Sequence, residues 1–176
     1  MGDVPITVII RKLNKYDVYW KVQEKQVMSL IDMVEEKIVK TPLVSKDKPD
    51  VLRELVQILK DAGEIDDFDA VLKAVQEREE KQSTGLEKSI AVPHAKSTAV
   101  SSLKLAIGIA PEGIDFDSLD GKPSKLFFLL VAAPDQSGPH VEALAEIAKL
   151  ANSNSFCKAL INSDNSQEVV ELLKGE

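Results

Sequence analysis

A chain of 176 residues, 44% hydrophobic and 29% charged, is sized for one domain with a full core and has a globular balance, not a disordered or fibrous one. Its formal net charge of −7 argues against nucleic acid, whose binders present a basic stripe. No apolar run reaches the roughly 20 residues of a membrane helix, no secretory leader opens the chain, and the lone Cys157 excludes an internal disulfide; a cytoplasmic protein without direct membrane insertion is expected.

Residues 1–27 stand apart. Ile6–Ile10 and Asp17–Val22 are rich in β-branched and aromatic residues, predicting two short strands around an Asn14-Lys15 turn. They form an N-terminal extension to a main domain over 28–176. From Met28 on, Leu30, Met33, Val34 and Ile38 recur at helical spacing, and Ile38–Val44 reads as extended. Asp47 caps a second helix, with Pro49 in its first turn, Leu52, Leu55, Val56 and Leu59 on one face, and Gly63 as its stop. A third helix carries Phe68, Val71, Leu72 and Val75 and frays near Lys81-Gln82.

The second half begins with Gly85 in a loop and a short apolar run, Ile90-Ala91-Val92. Leu103–Ala110 reads as a strand ended by Pro111-Glu112-Gly113. Leu126–Val131 is apolar at consecutive positions, as a strand covered on both faces requires. Pro134–Pro139 is a loop. Helical spacing then returns at Val141, Leu144, Ile147, Ala148 and Ala151, again around Phe156–Ile161, and finally at Val169, Val170, Leu172 and Leu173. Helices on both sides of a buried sheet predict an α/β fold of three layers, α/β/α.

The chain has two histidines. His94 follows Pro93, which fixes φ and removes a backbone donor, so the strand should stop there and present His94 at the rim of the sheet. A neutral imidazole is nucleophilic near pH 7 and suits attack on phosphorus without a metal. Taken alone, it reads more readily as a histidine hydrogen-bonded at a loop mouth. His140 starts a helix, where free amides attract anions; taken alone, it is also an ordinary helix-start residue. Arg78 carries a donor fork matched to phosphate, although Arg78-Glu79-Glu80-Lys81 has the pattern of a solvated helix face. Thr84 and Ser83 offer hydroxyls from a loop. Cys157, beside Phe156 and Leu160, reads as core. No glycine-rich phosphate loop is present, and two histidines without paired carboxylates make a poor zinc site, so no metal or cofactor is expected.

Together these residues carry a resemblance. Arg78-Glu79, then Ser83-Thr84-Gly85-Leu86-Glu87-Lys88-Ser89-Ile90-Ala91-Val92-Pro93-His94-Ala95, resembles the active-site signature of the fructose/mannitol-type IIA domains of the bacterial sugar phosphotransferase system. The likeness continues through Gly113–Pro123, Leu126–Pro134 and His140–Ala145, covering about residues 28–174 in order. The resemblance implies a mixed sheet between helix layers and a phosphohistidine at His94. Arg78, His140 and Thr84 would then stand beside the phosphoryl group. It further implies phosphorylated HPr as donor and a IIB cysteine as acceptor in sugar uptake, or, in the nitrogen-type regulatory relatives, control of partner proteins by phosphorylation state. Two positions depart from the pattern. Glu87 replaces a small residue, and Ser89 stands where many fructose-type members have glycine.

Overall fold

The computed structural model describes residues 29–175. The two strands expected within Ile6–Ile10 and Asp17–Val22, and the boundary at residue 27, lie outside the described residues. The elements run α1 (Leu30–Met33), a 3-10 turn (Glu36–Ile38), β1 (Val39–Lys40), α2 (Lys48–Asp61), α3 (Phe68–Lys81), β2 (Ile90–Ala91), β3 (His94–Lys96), β4 (Lys104–Ile114), β5 (Ser124–Ala132), α4 (Ser137–Ala151), α5 (Asn154–Ile161) and α6 (Ser166–Lys174). The fold is the expected three-layer α/β/α sandwich around a mixed sheet.

The sheet runs β1-β4-β5-β2, with β3 also paired to β5. β4 and β5 are antiparallel, whereas β1 lies parallel to β4 and both β2 and β3 lie parallel to β5. β5 is central and buried along nearly all its length, which explains its unbroken apolar run. Phe127 meets Phe116 edge-to-face, with centroids 5.4 Å apart. α2 packs on β4 and α3, α3 on β3, and α4 and α5 on β5.

α2 is capped at both ends as the sequence predicts, and Asp67 adds a cap to α3 that was not read from the sequence. Asp47 Oδ1 accepts from the Asp50 amide at 2.9 Å, and Asp67 Oδ1 from the Ala70 amide at 2.9 Å. Gly63 takes φ +71°, the left-handed conformation that ends α2.

Three expectations are corrected. The extended run Ile38–Val44 keeps ladder pairing at only two residues before Pro42 interrupts it, although the Leu43 amide still reaches Ile109 O at 2.7 Å. β4 does not end at Pro111; it continues to Ile114 through a register shift between Ile109 and Ile114, and a bulge tolerates the missing proline donor. Pro93 likewise interrupts a strand without ending it. β2 and β3 are two short pieces on the same neighbour, and His94 opens the second, opposite Leu130.

Candidate active site

His94 sits half-buried at the start of an edge strand, and its position follows from Pro93. The chain keeps its direction through this break, and His94 Nδ1 lies 2.8 Å from Val92 O. A carbonyl only accepts, so Nδ1 carries the proton and donates. The lone pair is therefore on Nε2. His140, in the first turns of α4, lies edge-on to this ring, with centroids 5.4 Å apart and planes at 73°. Its ring is 6% exposed, and its buried Nε2 has no hydrogen-bond partner among the described residues. Burial foremost, then the electrostatic influence of the neighbouring His94 and Lys96, holds its pKa below the ordinary 6.5. A neutral His140 keeps one N–H to donate.

Arg78 reaches this place from the last turn of α3. Its Nη1 donates to Gln82 O at 2.9 Å, satisfying a carbonyl at the helix end. Arg78, His94 and His140 together line a cleft of about 380 Å³, with Glu77, Lys81 and Lys96 at its walls. The sequence spreads these three residues over 63 positions, and the fold brings them to one opening. A second cleft of about 320 Å³ shares Arg78 and His94 with it and has Leu86, Val92, Leu119 and Leu144 in its lining. Leu119 is 70% exposed and Leu86 36%, an apolar rim beside the imidazole. A larger cavity, about 610 Å³, lies between Lys48, Leu52, Glu79 and Asp117 and contains neither histidine.

Thr84 is engaged within the fold. Its hydroxyl donates its single proton to Glu79 Oε2 at 2.5 Å, and its amide donates to Glu79 Oε1 at 2.8 Å, so no proton remains for a phosphate oxygen. Its carbonyl accepts from the Val92 amide at 3.0 Å. Thr84 therefore holds the residue whose own carbonyl orients His94.

Two residues missed by the sequence reading complete this chain. Glu79 is buried and pairs with Lys48 Nζ at 2.8 Å; the same ammonium donates to Ser83 Oγ at 3.1 Å and to Asp117 Oδ2 at 3.2 Å. Glu79 was legible. It continues the buried stripe Leu72, Val75 at helical spacing, which puts a carboxylate on the inner face of α3. Lys48 offered no such pattern. Glu87 is exposed, in a turn closed by the Leu86 amide on Ile90 O at 2.8 Å.

The family model "Phosphoenolpyruvate-dependent sugar phosphotransferase system, EIIA 2" matches residues 32–176. The chain belongs to this EIIA 2 family. Among its relatives, the PTS system fructose-specific EIIA component of Haloferax volcanii is 34% identical over 136 residues, 74% of this chain and 88% of that protein. The PTS system fructose-specific EIIABC component of Bacillus subtilis is 31% identical over 146 residues, 83% of this chain but 23% of the longer protein, so the chain spans about a quarter of that relative. In structure, nitrogen regulatory protein IIA-Ntr from Neisseria meningitidis superposes with a TM-score of 0.75 at 25% identity, covering 81% of this chain and 97% of that one. As an EIIA 2 domain, the chain is a phosphotransfer component. Among the described residues, no helix is long and apolar enough to cross a membrane.

Proposed function

We propose that this EIIA 2 domain is a phosphoryl carrier in the cytoplasm. His94 accepts the group from phosphorylated HPr and passes it to a IIB cysteine, for uptake of fructose, mannitol or a related sugar. One observation carries the reading: the Val92 carbonyl fixes the proton on His94 Nδ1 and leaves Nε2 as a nucleophile at the mouth of a cleft that also holds Arg78 and His140.

In this mechanism the Nε2 lone pair forms a bond to phosphorus while the donor's P–N bond breaks in line, its electron pair returning to the donor imidazole. His94 becomes a phosphoimidazolium whose Nδ1–H stays on Val92 O, which stabilises the charge as it develops. Arg78 and the neutral His140 offer donors to the equatorial oxygens, where charge is spread in a loose transition state. Transfer to a thiolate is the same step reversed in direction, so the site must hold the group only moderately. The rim formed by Leu86 and Leu119, with Val141 64% exposed nearby on α4, supplies an apolar docking surface for both partners.

Incubation with phosphoenolpyruvate and the donor proteins is expected to add one acid-labile phosphoryl group. His94→Ala should take none, and Arg78→Ala should slow transfer by roughly a hundredfold, the scale of losing one transition-state donor. Phosphate retained in His94→Ala would overturn the assignment. The likeness to IIA-Ntr favours a second reading, regulation of partner proteins by phosphorylation state. Rapid transfer from the phosphorylated protein to a IIB partner selects the first reading, and phosphorylation-dependent binding without transfer selects the second.

A further inference from the structure

Lys96 lies two residues beyond His94 on β3, so both side chains project from the same side of the strand. Its Nζ donates to Ser137 Oγ, at 2.5 Å, and Ser137 opens α4. This is an unfavourable place for a cation. α4 starts without a side-chain cap and without an acidic residue in its first turn, Asp135 before the cap being the nearest carboxylate in sequence, and Lys96 adds positive charge at this end of the helix. In the same cleft stand Arg78 and Lys81, against one carboxylate, Glu77, which lies 3.8 Å from Lys73. The buried, unpartnered Nε2 of His140 is an independent sign of a missing ligand there. A chain of net charge −7 thus concentrates unbalanced positive charge at one opening.

Resting on the carrier reading above, we propose that Lys96 is a second cationic contact for the phosphoryl group on His94, leaving Ser137 for an equatorial oxygen when the group arrives. The group brings two negative charges; Arg78 and Lys96, which both line the cleft, balance them, and His140 fills its empty hydrogen-bonding position. Lysine suits the task because a compact ammonium on a flexible stem exchanges one acceptor for another without moving the backbone. Lys96 therefore lengthens the life of the phosphorylated form and draws the transfer equilibrium toward this protein.

The test compares wild type, Lys96→Gln, Lys96→Arg and Ser137→Ala after phosphorylation by phosphoenolpyruvate and the donor proteins, following phosphohistidine by phosphorus NMR. Glutamine keeps a donor for Ser137 and removes only the charge. Lys96→Gln is expected to accept phosphate on His94 but to lose it roughly three- to tenfold faster, with the equilibrium displaced toward the donor, the scale of one partly exposed charge contact. Lys96→Arg should recover most of both, and Ser137→Ala should behave as wild type. A wild-type lifetime and equilibrium in Lys96→Gln overturn the proposal. The same defect in Ser137→Ala also overturns it, because Lys96 would then merely clamp β3 to α4. A wild type that takes no phosphate fails the carrier reading itself, and this inference with it.

Discussion

Val92 contributes both of its backbone polar groups to the site: its amide donates to Thr84 O, and its carbonyl receives His94 Nδ1–H. Neither is visible in a sequence, because a backbone atom has no residue type. His94, His140 and Arg78 could be named as a set because the resemblance aligned them; periodicity and composition left each with an ordinary alternative. Thr84 was read from its hydroxyl alone, and its hydrogen bonds follow from Glu79, whose place on the buried stripe of α3 went unread beside its charged neighbours. The consequence at this scale concerns which nitrogen reacts. With Nδ1 held by a carbonyl, the phosphoryl group is expected on Nε2. Long-range proton–nitrogen NMR of the phosphorylated, ¹⁵N-histidine-labelled protein distinguishes the two ring nitrogens, and a phosphorus coupling at Nδ1 would show that the ring turns over before it reacts.

Between α3 and β3 the chain makes a loop whose shape is set by two close approaches. Gly85 meets the segment Phe116–Ser118 so tightly that a Cβ there would lie 2.7 Å from Ser118 Oγ, 2.8 Å from Ser118 Cα and 2.9 Å from Phe116 O. Two of these are backbone atoms that cannot swing aside. Further along, Lys88 and Ser89 hold φ of +58° and +64°. Only glycine adopts that region without cost, so both positions carry backbone strain in this loop. The existence of the loop was legible from Gly85 and its polar neighbours. Its packing against residues 116–118 was not, because the partner segment lies about thirty positions away and pairs through backbone. Gly85→Ala is therefore expected to cost about 2 kcal/mol of stability by overpacking. It should also slow phosphorylation of His94, since Thr84 and Val92 would shift with the loop. Denaturant unfolding and the rate of phosphate uptake measure the two effects, and a variant equal to wild type in both would show that the approach is not a constraint.

Two carboxylates tie the outer edge of the sheet together, and neither lines the clefts that hold His94. Glu54 on α2 accepts from the Val44 and Ser45 amides and Ser45 Oγ, and pairs with Lys40 Nζ of β1 at 2.6 Å. Burial alone would raise its pKa, but Lys40, Ser45 and the amides outweigh it and leave the carboxyl below its ordinary value. Glu64 bridges Lys104 of β4 and Lys37 of the 3-10 turn, each at 2.8 Å, and these two ammonium groups, Lys104 foremost, lower it. A carboxyl with a lowered folded pKa binds fewer protons folded than unfolded. Its stabilisation is therefore present above the ordinary value of 4.5 and is lost as pH falls through the folded value. His140 acts in the same direction in a higher window. Kept neutral by burial, it costs stability once pH drops below 6.5, where the unfolded chain takes up the proton first. The melting temperature is thus expected to be flat between about pH 7 and 8, to decline gently below the ordinary histidine value, and to fall steeply below about pH 4.5. Glu64→Gln separates the terms: it should lower stability at pH 7, soften the steep acid limb, and converge with wild type once pH has fallen through the folded value of Glu64, where both side chains are uncharged. A variant whose melting curve runs parallel to wild type down to pH 3 would mean that the ion pairs joining β4 to the 3-10 turn contribute nothing to acid sensitivity.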